Sequence, residues 1–148
     1  MVNAQPKAGQ HGYITLALMP EDAQLIVQRL ENLGIKDAIP AQHLRLVMLY
    51  NTQEALSLMP ETVHIAFAQG EAQLTGKLPH KQLVLPLQAD TVVQRYNVLR
   101  EEMNKTDEGT IFTPFLTLKN DASAGDLDRI GETLSGMAMR FSNESILL

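Results

Sequence analysis

The chain has 148 residues, 45% of them hydrophobic, with no Cys and a formal charge of −5 from 12 Lys and Arg against 17 Asp and Glu. That size fits one globular domain with a core of its own, needing neither disulfides nor a structural metal. Without Cys, thiol catalysis, thiolate zinc sites and iron–sulfur clusters are excluded. Without a stretch dominated by Lys and Arg, broad binding to duplex DNA or an anionic membrane is not expected, although a small anion held by a few groups is compatible.

Residues 1–12 form a polar segment with no apolar signal-peptide region. The apolar run Ile14–Met19, interrupted at Thr15, is far short of the roughly 20 residues that span a bilayer. The expectation is a soluble, cytoplasmic protein folded as a single domain over 1–148. Tyr13–Leu18, bounded by Gly12 and Pro20, reads as a strand. Pro20, Glu21 and Asp22 open a helix whose apolar face is Ala23, Ile26, Val27, Leu30 and Leu33, with Gly34 as its stop.

After a loop containing Pro40, His43–Tyr50 reads as a second strand. Its first half alternates, so Leu44 and Leu46 face one side and His43 and Arg45 the other. A short helix is expected over Thr52–Leu58, followed by a hairpin of Val63–Ala68 and Ala72–Leu78 turning at Gln69, Gly70 and Glu71. Leu83–Leu87 is a strand in which Pro86 suggests an edge or terminal place. Asp90 caps a helix to about Asn104, with Val92, Val93, Tyr96, Leu99 and Met103 on its apolar face. Lys105–Gly109 is a polar loop, Ile111–Lys119 a strand, Ala124–Met137 a helix and Arg140–Leu148 a last strand.

The two halves repeat an order of elements. Leu16-Ala-Leu, Asp22 and Val27-Gln-Arg29 parallel Leu85-Pro-Leu, Asp90 and Val93-Gln-Arg95, and in each half a Pro-containing loop then leads to a strand: Pro40 to His43-Leu-Arg45-Leu, Pro114 to Phe115-Leu-Thr117-Leu. A duplicated α+β unit would set those two strands side by side about a pseudo-twofold axis.

This order, together with Gln42-His43-Leu-Arg45-Leu, Phe112-Thr-Pro114-Phe115-Leu-Thr117-Leu118 and the closing Asn143-Glu144-Ser145-Ile146-Leu147, resembles the 2H phosphoesterase superfamily. In compactness it is most similar to the small phage anti-CBASS branch, whose members cut cyclic oligonucleotide signals. The resemblance implies an α+β, bilobal fold with two strand-helix-strand lobes around a central cleft. It implies metal-independent chemistry with no cofactor: two histidines act as general base and acid on a phosphodiester, and a Thr or Ser two positions after each binds the phosphate. Histidine suits this because it titrates near neutral pH and in-line displacement moves protons at both ends of the phosphate.

Two positions depart from the pattern. Arg45 stands where the first hydroxyl belongs, and Phe115 where the second His belongs. Loss of a positioned acid or base typically costs about 10² to 10⁴ in rate, whereas Arg45 can still grip phosphate through its guanidinium or else block the cleft. The resemblance therefore assigns His43 as a remnant acid or base, Thr117 as a phosphate hydrogen-bond donor, and Arg45, Phe115, Tyr13 and Glu144 as ligand-binding residues.

Each has a plainer role beside it. His43 could be a strand histidine bonded to backbone, Arg45 a surface ion-pair partner, Thr117 and Tyr13 ordinary strand residues and Glu144 a solvated terminal charge. Phe115 either fills a closed core, the commoner use of an aromatic, or offers a stacking face to a base. His11, His64 and His80 match no motif position. The expectation is a degenerate, inactive member, encoded by a phage and residing in host cytoplasm or virion, that binds a cyclic oligonucleotide or RNA end, or serves a protein partner or virion assembly. The competing reading is an active phosphodiesterase with His43 as its sole motif imidazole.

Overall fold

The computed structural model describes residues 12–52, 57–76, 80–102 and 112–147. Among them are seven strands and three helices, a mixed α+β architecture: β1 (Gly12–Leu18), α1 (Pro20–Asn32), β2 (Arg45–Thr52), β3 (His64–Ala68), β4 (Gln73–Thr75), β5 (Gln82–Gln88), α2 (Asp90–Glu102), β6 (Phe115–Lys119), α3 (Ala124–Ile130) and β7 (Ala138–Leu147). All the strand pairs are antiparallel, in the order β2-β1-β7-β3-β5, with β4 and β6 also on β5. The sheet curls until its ends nearly meet. The Ile39 N–H, in the connection leading to β2, donates to the Leu118 carbonyl of β6 at 2.9 Å.

Strand alternation decides what faces inward. Ile14, Leu16 and Leu18 of β1 are buried with Leu46, Leu85, Leu87 and Phe141 against Ile26 and Leu30 of α1 and Val92 and Leu99 of α2. Pro20 at the helix start, Glu21 and Asp22 in the first turn and Arg29 in the last suit the macrodipole of α1. Gly34, at φ +77°, takes the left-handed turn that ends this unit. Tyr96 of α2 stacks on Phe112 with ring centroids 4.3 Å apart, which anchors the chain just before β6.

Several expectations are corrected. The segments around Gly70 do not form a hairpin with each other: β3 and β4 both pair with β5, as Phe67–Gln88 and Gln73–Val84 register partners show. Consequently β5 is an interior strand despite Pro86. The Pro86 carbonyl accepts from Gln69 N–H at 2.8 Å, so its missing N–H points to the same side, where β3 has ended and β4 has not begun. The last helix stops at Ile130 because Gly131 leaves the helical region, and residues 131–136 are turns. Arg45, not His43, begins β2, His43 closing a 3-10 turn over Ala41–His43. Thr52 ends β2, and Ser57 and Leu58 are irregular. Residues 53–56, the loop 105–109, His11, Met103 and the ends of the expected elements at 77–78, 111 and 148 lie outside the described residues. Among the described residues no helix is long and apolar enough to cross a membrane.

Candidate functional site

The sheet face opposite the helices carries a cleft of about 500 Å³. Its floor is β1 and β2: the alternation that buries Ile14 and Leu16 turns Tyr13 and Thr15 the other way, and Arg45 and Val47 stand beside them. Phe115 and Thr117 of β6 form the facing wall. His43 lies exposed at the mouth, presented by the 3-10 turn that Pro40 introduces. Gln82 and Asn120 close one end, with the Gln82 amide donating to Asn120 Oδ1 at 2.8 Å.

The structure thus brings Tyr13, His43, Arg45, Phe115 and Thr117 to one cavity. Phe115 is 40% exposed, so it is not the closed-core residue that aromatic statistics favour. Arg45 makes no ion pair with any described residue, and its Nη1 is buried with no hydrogen-bond partner. Among the described residues no Asp or Glu lines the cleft. In a chain of net charge −5, the described lining of this cavity brings together a guanidinium, an imidazole and hydroxyls without a carboxylate, a combination chemically compatible with an anion. A second groove of about 690 Å³ lies beside α1, but Glu31, Lys36 and Asp37 give it mixed charge and none of its lining atoms is an orphaned buried donor.

Glu144 is placed elsewhere. Asn143, at φ +57°, accompanies a bulge between the Thr15–Ser145 and Ala17–Ser142 pairs. Ser145 shares the cleft side with Thr15, so Glu144 points to the opposite face. There it is 1% exposed, and its oxygens accept from Arg95 Nε and Nη2 at 2.8 and 2.9 Å and from the Met59 N–H at 2.7 Å. It is neither a cleft ligand nor a solvated terminal charge. Hydrogen bonding to Glu144 raises the Arg95 pKa above its ordinary value.

His64 belongs to the same interior group. Its Nδ1 is 2.9 Å from Thr91 Oγ1, and burial lowers its pKa, with Glu144 opposing and Arg95 reinforcing that shift. His80 pairs with Asp121 at 2.6 Å on the exposed surface beside the Gln82–Asn120 end, without lining the cleft. Sequence reasoning missed Thr15, Val47, Gln82 and Asn120. For Thr15 and Val47 the period-2 pattern was sufficient, since they follow Tyr13 and Arg45 by two; Gln82 and Asn120 meet through the β5–β6 pairing, which carries no local signal. Among the described residues no three His, Cys, Asp or Glu side chains gather as a metal site.

No protein-family model matches the chain, and no curated protein matches it in sequence.

Proposed function

We propose that this protein is a degenerate 2H phosphoesterase-like protein, bilobal in the sense of that superfamily, whose cleft binds the phosphate of a cyclic oligonucleotide or RNA end without cleaving it. The observation that carries this reading is the buried Arg45 Nη1, without a partner among the described residues, in a cleft shared with His43, Thr117, Tyr13 and Phe115 and lined by no described Asp or Glu. A guanidinium nitrogen held out of water without a partner is unfavourable alone and becomes favourable when an oxyanion accepts from it. Tyr13 and Phe115 supply faces on which a base can lie. Catalysis is another matter. With Phe at 115 the cleft offers one motif imidazole, and in-line displacement needs proton transfer at both ends.

A second reading, a protein-binding role, has its own support in β3. Val63, Ile65 and Phe67 are 51%, 55% and 48% exposed on one side of that strand, an apolar row of the kind that partner surfaces use.

The test is to mix the purified protein with cyclic di- and trinucleotides and with RNA bearing a 2′,3′-cyclic phosphate, in EDTA, recording cleavage and heat together. The expected result is binding without turnover, lost in Arg45→Ala. Metal-independent cleavage abolished by His43→Ala would replace this reading with an active phosphodiesterase. No binding, with activity gained on combining Phe115→His and Arg45→Thr, would leave the protein-partner reading in its place.

A further inference from the structure

Three side-chain polar atoms are buried without a hydrogen-bond partner among the described residues: Arg45 Nη1, Thr15 Oγ1 and Ser145 Oγ. They are not scattered. Thr15 is the register partner of Ser145 on β7 and of Val47 on β2, and Arg45 lies two residues from Val47 on the same face. Direct cross-strand neighbours have Cβ atoms about 4.5–5.5 Å apart and diagonal ones about 7–8 Å, the latter within reach of an arginine side chain. All three orphans therefore cluster on the cleft side of the β7-β1-β2 surface. Thr15 itself is 0% exposed and lines the cavity. Buried polar groups in folded proteins are almost always satisfied, so unsatisfied ones in and beside a cavity point to a group that the described residues do not supply.

From this we infer that the floor of the cleft is a seat for a terminal phosphate, a monoester dianion at the end of a nucleotide or RNA strand, held by Arg45 Nη1 and the Thr15 hydroxyl with Ser145 beside them. The inference rests on the nucleotide-binding reading above and narrows it to RNA or nucleotide ends with a free terminal phosphate, leaving cyclic oligonucleotides and cyclic phosphate ends, which are diesters, as weaker ligands. A phosphodiester in mid-chain must leave the site through two bridging oxygens and so stays near the cleft mouth, where His43 is. A monoester is attached at one point only and can approach the floor more closely than a diester, meeting Arg45 and Thr15 once those side chains turn toward the cleft. It also presents three oxygens to the guanidinium and the Thr15 hydroxyl, with Ser145 behind Thr15 rather than in the cavity lining, and its second negative charge gains most from the guanidinium. The seat lies outside the His43 and Thr117 motif positions. Thr15, on the first strand, lies outside the segments that carry the resemblance, whereas Arg45 and Ser145 belong to them.

The experiment is calorimetric titration of the whole protein with inorganic phosphate, adenosine 3′-monophosphate and a dinucleoside phosphodiester, repeated with Thr15→Val and Ser145→Ala. Valine keeps the branched shape of threonine and removes only the hydroxyl. Phosphate and the monophosphate are expected to compete for one site, with the diester weaker. Thr15→Val is expected to lower phosphate affinity about tenfold to a hundredfold, the worth of a hydrogen bond to a charged group, and Ser145→Ala to lower it as well. Thermal melts in phosphate-free buffer guard against misfolding, because deleting an orphaned hydroxyl should leave the melting temperature equal or higher.

Unchanged phosphate affinity in both variants overturns the seat. So does diester binding that depends on Arg45 but that phosphate does not displace, an outcome under which the nucleotide reading survives. If wild-type protein binds none of the three probes, both inferences fall. If both variants melt below wild type by one margin with and without phosphate, the hydroxyls hold an internal water and the seat is overturned.

Discussion

Replacing Glu144 by Gln tests whether the buried clasp between α2 and β7 holds this fold. The carboxylate is 1% exposed, it takes two bonds from Arg95 and one from the Met59 N–H, and the Arg95 side chain is 11% exposed. Glutamine preserves the shape but removes the charge and turns one acceptor into a donor, which then faces either Arg95 or the Met59 amide. Removing one partner of a buried pair costs about 3–5 kcal/mol. Because some water reaches Arg95, the lower end applies, about 3 kcal/mol, which in a chain of this length corresponds to a melting temperature roughly 6–12 °C lower. Urea unfolding monitored by circular dichroism should show the midpoint falling with an unchanged slope. A loss below about 1 kcal/mol would place the pair with exposed salt bridges and refute the reasoning. So would a double variant, Arg95→Met with Glu144→Leu, no more stable than Glu144→Gln, since apolar replacement of both partners should recover most of the loss.

His64 gives a pH signature. Burial holds its native pKa below 6.5, so the unfolded chain takes up the proton first and stability falls as pH drops below about 6.5; His64→Gln, which keeps a partner for Thr91, should flatten that part of a melting-temperature profile. Asp126 acts lower on the scale. Burial resists its ionisation, but the Ser123 N–H at 2.9 Å and Lys119 at 3.0 Å outweigh it and hold the carboxyl below 3.8; its contribution is complete above that value and lost as pH falls through the native pKa, so Asp126→Asn should destabilise at neutral pH and shrink the acid limb of the same profile. Phe141, fully buried where β7 pairs with β1 and β3, should cost about 3–5 kcal/mol on truncation to Ala, read from urea midpoints.

What the sequence disclosed and concealed follows from whether the signal is local. The unit Gly12–Asn32 was readable because its punctuation, Gly12, Pro20, Glu21, Asp22 and Gly34, sits within the elements it bounds. That Arg45 faces away from Leu44 and Leu46 was readable from alternation. The β3–β4 hairpin was misread because Gln69-Gly70-Glu71 does make a turn, yet each flanking segment pairs with β5, a partner distant in sequence. Pro86 misled for the same reason: the gap that accommodates its missing N–H is created by two other strands. Glu144 turned inward through a bulge whose sole local trace is Asn143 at positive φ.

The two departures from the 2H pattern act in one direction under the proposed reading. Substituting Phe for an imidazole at 115 removes proton transfer and leaves a face 40% exposed to water, which costs free energy unless something flat covers it. Substituting Arg for a hydroxyl at 45 exchanges a neutral donor for a charge of which one buried nitrogen has no partner among the described residues. Each change leaves the unliganded protein with a deficit that a bound nucleotide would relieve, the ring by stacking and the guanidinium by pairing. A purely structural role would favour the opposite changes, a smaller apolar residue at 115 and an uncharged one at 45, because both deficits could then be closed by packing alone.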